Sequence, residues 1–286
     1  MKKALIFLFV VTFINAPSFA FDFSFYDYFN PGKSEIRAVK KVLNSQVKFA
    51  NRMNFEKFIS TFDPKYVNAD GFDLEVYSTL IKDIWESYPL KYNIDIKDVV
   101  ISGDKAIVKL IETSYADISM SKLYDGELKS EATTIYHLEK NKQGKWKVVS
   151  DEVVEETTSM LYGDAKDLDL KLVAPSEISA NTDYTATLEF IPPRDTIAIA
   201  SIASDVVQYP QPQTKEVFRA LPEDNILERI FTSNSEDKNE YVVASIGLTK
   251  SSVEDLTLRL NLTGFGYKIV RVNVINDLKG DNKLDE

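Results

Sequence analysis

Cysteine is absent from all 286 residues, and histidine occurs once. Those two shortages exclude more chemistry than any motif supplies. Without a thiol there is no thiol nucleophile, thiolate zinc site, iron–sulfur cluster or disulfide. With His137 as the single histidine, a multi-histidine metal site is impossible, and a serine–histidine–acid triad would have to use that one residue. No G-x-S-x-G, G-x-G-x-x-G or G-x-x-x-x-G-K motif occurs. The nucleophile elbow and the usual cradles for dinucleotides and triphosphates are therefore missing, and neither a metal nor a cofactor is expected. Long apolar runs are also lacking beyond the first fourteen residues, so no transmembrane span is expected in the mature chain.

What is present begins with an address. Met1-Lys2-Lys3 is a short basic start, and Ala4 to Ile14 is apolar apart from Thr12. Pro17 breaks the run, and Ser18-Phe19-Ala20 offers the small residues that a signal peptidase reads. Residues 1–20 read as a signal peptide, with the mature chain beginning at Phe21 in the periplasm or outside the cell. No cysteine follows the apolar run, so a lipoprotein is excluded. A cysteine-free exported protein must hold by core packing, which a chain of this length allows.

Removing Lys2 and Lys3 with the leader takes the formal net charge from -10 to -12. Such a balance is repelled by phosphate backbones and by anionic lipid, so nucleic acid is not expected as a partner.

Along the chain the hydrophobic period changes once. Residues 21–33 open with FDFSFYDYFN, the densest aromatic cluster in the sequence. Ser34 is placed as a helix N-cap, and Ile36, Val39, Leu43, Val47, Ala50 and Met53 follow at helical spacing. A short helix carries Phe55, Phe58 and Ile59 and ends at Asp63-Pro64. A third runs from Asp73 to Tyr88, stopped by Pro89. Alternation of period two then predicts strands over 91–101, 105–118, 129–140 and from Trp146 to about Thr157. This is an α+β domain over 34–158. Residues 159–167 read as a linker. From 168 to 275 the chain alternates in short strands without a convincing helix, as in Tyr184, Ala186, Leu188 and Phe190, or Leu256, Leu258, Leu260 and Leu262. Gly264-Phe265-Gly266 reads as the last hairpin turn, 205–225 as a long connection, and 276–286 as a polar tail. The expected fold is three helices cupped by a curved antiparallel sheet, followed by an all-β sandwich.

The layout of the first domain carries a resemblance. A long helix, a short one ending in FISTFDPKYV (58–67), a third helix and hairpins closing with GKWKVVSDEV (144–153) resemble the nuclear-transport-factor-like superfamily, which includes the SnoaL-like and ketosteroid-isomerase-like proteins. The resemblance covers 34–158 and implies a cone-shaped sheet, often with a pocket at its open end. Some members are enzymes that move a proton next to a carbonyl with a carboxylate, often with a tyrosine. Many others are non-catalytic binding or assembly modules. Residues 168–275 resemble a bacterial immunoglobulin-like sandwich, without the cysteine and tryptophan hallmarks of antibody domains.

A carboxylate base in such a cone needs an apolar pocket to raise its pKa. By alternation the candidates are Glu112, beyond Val108 and Leu110, and Glu152, beyond Trp146 and Val148. Tyr77, Trp85 and Tyr136 could line a cavity, or simply fill the core. Glu112 and Glu152 could equally reach solvent at strand ends. His137 shares a strand face with Glu131, Thr133, Ile135 and Glu139, which suits a solvated histidine; the alternative is a general base. Phe21, Phe23, Phe25, Tyr26, Tyr28 and Phe29 would mark a partner site if exposed. Folded back, they would cover the cone or the domain junction.

Besides a purely structural envelope protein with no ligand, two functions remain open on the sequence. One is an exported non-catalytic binding or assembly protein of the bacterial envelope. Its cone would hold another envelope protein or a small apolar ligand, and its sandwich would serve recognition or spacing. The other is a cone-type isomerase or dehydratase acting on an apolar carbonyl compound through Glu112 or Glu152.

Overall fold

The computed structural model describes residues 33–254 and 257–275. The leader, the aromatic segment and the tail lie outside them, and so do the expectations placed there. The chain divides into two compact units. Among the described residues, a helical unit holds 33–114 and Glu131–Val154, and a β unit holds Tyr115–Ser130 and the chain from Glu155 onward. The protein is α+β, with few helices and a large antiparallel sheet.

In the helical unit, α1 (Lys33–Ala50), α2 (Phe55–Ile59) and α3 (Leu74–Ser87) precede β1 (Lys91–Ser102), β2 (Lys105–Met120), β3 (Tyr124–Lys140) and β4 (Trp146–Gly163), with the strands in the order β1-β2-β3-β4. The buried face of α1 is Val39, Leu43, Gln46 and Ala50. Two details depart from the expectation. Ser34 is the second residue of α1 rather than its cap, and Met53 lies past the helix end, at φ +51° and 49% exposed. The helix closes because the Met53 amide bonds back to the Ala50 carbonyl at 2.9 Å and the Asn54 amide to the Phe49 carbonyl at 2.9 Å. Asn51 then fixes that end to β1, giving Nδ2 to the Tyr92 carbonyl and taking the Tyr92 amide on Oδ1, both at 2.8 Å.

The strands show two kinds of alternation. On β3, Ala132, Thr134, Tyr136 and Leu138 are buried and the residues between them are not. On β4 the buried positions are Trp146 and Val148, then Asp151 and Val153, then Glu156 and Thr158, and finally the adjacent Leu161 and Tyr162. The phase slips by one residue after each pair, as a strand bulge makes it do.

Residues 159–167 are the last residues of β4 and a 3-10 turn, Asp164–Asp167, and the boundary between units falls inside β2, β3 and β4. The β unit continues with β5 (Lys171–Val173), β6 (Glu177–Ser179), β7 (Asp183–Glu189), β8 (Ile197–Val206), β9 (Arg219–Ala220), β10 (Ile226–Thr232), β11 (Glu240–Glu254) and β12 (Thr257–Ile275). Here one sheet runs β4-β12-β11-β8-β9 and a second runs β10-β7-β5. Both contribute to one core, for example Tyr184 and Leu188 from β7, Ile202 from β8, and Val242 and Ile246 from β11.

Gly264 and Gly266 are not a hairpin turn. They lie within β12, whose hairpin with β11 extends to the pair Glu254↔Thr257. Close approach explains them: a Cβ on Gly264 would sit 2.5 Å from the Ala165 amide nitrogen, and one on Gly266 2.5 Å from the Met160 carbonyl oxygen. Leu260 and Leu262 do not face a core. They are 60% and 43% exposed, on the stretch of β12 that precedes its pairing with β4 at Gly264.

Candidate functional site

The polar chemistry of the helical unit gathers around an aromatic core. Asp73 caps α3, its Oδ1 accepting from the Glu75 and Val76 amides at 3.0 and 2.9 Å, and this sets Tyr77, Leu80, Ile81 and Ile84 inward. The loop before it is stitched to β4: the Asp63 amide bonds to the Val148 carbonyl at 2.8 Å, and the Val148 amide to the Thr61 carbonyl at 3.1 Å. Phe62 and Tyr66 are thereby held against Tyr77. Ring centroids lie 4.9 Å apart for Phe62–Tyr66, 5.3 Å for Phe62–Tyr77 and 5.2 Å for Tyr66–Tyr77. Such tilted and edge-on pairs suit the ring quadrupoles.

Two carboxylates enter this core. Glu112 shares its face of β2 with Val108 and Leu110; it accepts from Thr134 Oγ1 at 2.9 Å and from the Tyr136 hydroxyl at 3.0 Å. The second is Asp151, which accepts from the Tyr66 hydroxyl at 2.9 Å. As a residue Glu112 keeps partial solvent access, but burial is the largest influence on its carboxylate and raises its pKa above 4.5, against the downward pull of the two hydroxyls. Tyr66, Tyr77 and Tyr136 are all pushed well above 10, first by burial and then by the nearby carboxylates, so they stay protonated donors.

Of the residues singled out on sequence, the fold brings Glu112, Tyr77 and Tyr136 together: Tyr136 donates to Glu112, and Glu112 also acts electrostatically on Tyr77. Trp85 sits at the α2 side, 5.5 Å from the Phe58 ring, and gives its indole N–H to the Tyr92 hydroxyl at 3.1 Å. Glu152 does not continue the face of Trp146 and Val148. The slip on β4 gives that place to Asp151, leaving Glu152 only half-buried. His137 lies on the face of β3 opposite Tyr136, half-buried rather than fully solvated, and burial lowers its pKa. Sequence reasoning missed Tyr66 and Asp151. The doubled valines at 148–149 and 153–154 hide the phase of β4, and no local signal marks Asp151 as the inward residue.

The arrangement can hold charge and position hydroxyls. Each carboxylate has further acceptor capacity beyond the bonds named here. Among the described residues, no group of three or more histidine, cysteine or acidic side chains is arranged to hold a metal ion. No helix among them is long and apolar enough to cross a membrane.

The buried Glu112 has a sign-specific consequence. A carboxyl whose folded pKa is raised holds its proton in the native state over a range where the unfolded chain has lost it. Its stability contribution is therefore full below about pH 4.5 and is lost as pH rises through the folded pKa. Glu112→Gln, which is permanently neutral, is expected to gain on the wild type as pH rises from 4 to 8. Urea midpoints of both proteins across that range measure it. A difference that is flat, or that runs the other way, means Glu112 is not buried against its charge.

With this geometry in view, the chain can be set beside known proteins. Residues 41–160 match the family described as "Anti-sigma-I factor RsgI9, C-terminal domain". No curated protein matches the chain. Among solved structures, the Bdellovibrio bacteriovorus protein Bd1075 is similar at 16% identity and a TM-score of 0.36, over 43% of this chain and 42% of that one. The chain thus spans less than half the length of Bd1075. A conserved protein from Planctomyces limnophilus DSM 3776 is similar at 10% identity and a TM-score of 0.38, over 41% of this chain and 93% of that one. Mycobacterium tuberculosis RV0760c, solved in complex with estradiol-17beta-hemisuccinate, is similar at 12% identity and a TM-score of 0.29, over 41% and 91%.

Proposed function

We propose that the chain is an exported, non-catalytic binding or assembly protein of the bacterial envelope. In this reading the helical unit is a nuclear-transport-factor-like cone that engages a partner protein or a small apolar ligand. The β unit is an immunoglobulin-like sandwich serving recognition or spacing. The observation that carries it is the state of the interior carboxylates: Glu112 is held by two hydroxyls and Asp151 by a third, among rings that pack on one another. Polar groups tied down in that way stiffen a scaffold. The match over 41–160 lends support, since that family is named as a domain of an anti-sigma factor, a name that implies a protein partner.

Expression with a C-terminal affinity tag tests both halves. The processed protein is expected in an osmotic-shock or medium fraction with Phe21 as its first residue by mass spectrometry; an unprocessed chain confined to the cytoplasm rejects export. The tagged chain is expected to retain an envelope protein in fixed ratio, and to lose it on deletion of residues 21–30. Nothing retained by either form rejects partner binding.

The second reading, an isomerase or dehydratase, has one observation in its favour: a carboxyl with a raised pKa, Glu112, beside the Tyr136 hydroxyl. It requires deuterium exchange next to the carbonyl of an apolar ketone, abolished in Glu112→Gln.

A further inference from the structure

The acidic balance of the chain is not spread evenly. Among its 286 residues, 44 are acidic and 34 basic, yet α1 carries five basic residues and one acidic one. Its single carboxylate, Glu35, is turned to the sheet, where it takes Lys140 Nζ at 3.1 Å and the Trp146 indole N–H at 2.9 Å. Arg37, Lys41 and Lys48 are exposed, with Asn44 between them and Arg52 just beyond the helix end. They lie opposite the buried Val39, Leu43, Gln46 and Ala50, in one straight row. From Arg37 to Lys48 the row runs about 16 Å. None of the four pairs with a described carboxylate, whereas several other lysines of the chain do.

We infer that this row on α1 docks the protein on an anionic phospholipid surface. Charge complementarity supplies the attraction. The composition of the row selects the occupant: it is purely polar, and a specific protein interface needs an apolar centre, which the row lacks. A planar anionic surface needs only aligned positive charge. The chain as a whole is net acidic and is repelled by the same lipid, which favours approach by this basic row. The inference goes beyond the partner-binding role and does not depend on it.

Vesicle co-sedimentation tests it, using the protein as the cell produces it and with its N-terminus read by mass spectrometry. A retained apolar leader would raise binding to all vesicles alike, so the readout is the ratio between phosphatidylglycerol-containing and pure phosphatidylcholine vesicles. That ratio is expected to be high at low salt and to vanish towards 1 M NaCl, where the Debye length is about 3 Å. Replacing Arg37, Lys41, Lys48 and Arg52 by glutamine should lower binding about fivefold for each, at least about 100-fold together. The same number of exposed lysines replaced elsewhere (Lys122, Lys142, Lys145 and Lys215) should change it far less. Equal losses in the two variants overturn the inference. So does tight binding to polyglutamate without binding to the anionic vesicles, which would assign the row to an acidic polypeptide. Both variants retain the buried face of α1, and circular dichroism confirms that they fold.

Discussion

Replacing Glu240 by alanine is expected to cost about 3–5 kcal/mol of stability, and to cost it in the β unit. Glu240 opens β11 and is 4% exposed, a carboxylate in a place where few carboxylates are found. It is tolerated because both oxygens are fully engaged. Oε2 accepts from the Tyr184 hydroxyl at 2.9 Å and from Ser204 Oγ at 3.0 Å; Oε1 accepts from the Asn234 amide at 2.7 Å and from Asn234 Nδ2 at 2.8 Å. These donors come from β7, from β8 and from the turn after β10, so one side chain ties three segments together. Truncation leaves the part-buried Asn234 amide without this acceptor, and a lost hydrogen bond to a charged group costs about 1.5–3 kcal/mol. Tyr184 and Ser204 lose less, since their hydroxyls stand 2.9 Å apart and can bond each other. Glu240→Gln keeps one carbonyl oxygen, so it should cost about half as much or less. Both tryptophans, Trp85 and Trp146, lie in the helical unit, so their fluorescence reports first on that unit. Hydrogen exchange resolved by peptide should show faster exchange in β7, β10 and β11 of the alanine variant. Equal costs for alanine and glutamine, or a cost below about 1 kcal/mol for alanine, would mean the carboxylate is not what holds those segments.

Why some of this was legible in the sequence and some was not follows from where information about burial resides. On β3 the alternation is undisturbed, so the inward positions of Ala132, Thr134, Tyr136 and Leu138 could be read off directly. The same is true of β2 as far as Glu112. The caps and stops of α3 are local as well, Asp73 at one end and Pro89 at the other. β4 breaks the rule because its slips are set by what it packs on, the loop at 61–67 and later β12, and not by its own residues. An argument from period two therefore names Glu152 where the fold uses Asp151. Tyr66 was invisible for a similar reason: it belongs to a loop, and its inward position depends on bonds to a strand more than eighty residues away in sequence. Leu260 and Leu262 show the opposite failure. Their alternation is regular, yet alternation alone does not say whether anything packs on the face it defines, and Leu260 and Leu262 are left exposed.

The largest penalty of any single methyl group in the β unit is expected at Gly163. Three glycines of the chain with positive φ have nothing within 4 Å of a Cβ: Gly71, Gly103 and Gly144. For these, alanine brings only the backbone cost of a left-handed residue, about 1 kcal/mol or slightly more. Gly163 has φ +56° and ψ -136°, a combination outside the left-handed helical well that other residues can tolerate. A Cβ there would also sit 2.2 Å from the Thr263 carbonyl oxygen, a backbone atom that no rotamer change can move. Gly163 is paired with Gly264, and the chain turns directly into the 3-10 turn whose amides approach Gly264 from the other side. Relief would have to come from separating β4 from β12, which loses ladder bonds and the packing beneath them. Gly163→Ala should therefore cost at least about 4 kcal/mol, or fail to give soluble protein, while Gly103→Ala stays near 1 kcal/mol. Gly247→Ala makes a useful middle step, because its Cβ would meet the Ile199 side chain at 3.2 Å, a neighbour that can yield. Thermal melts of the three variants, with soluble yield recorded beside them, give the order Gly103, Gly247, Gly163. If Gly163→Ala melts within a few degrees of Gly103→Ala, β4 and β12 do not cross as closely at that point as the geometry requires.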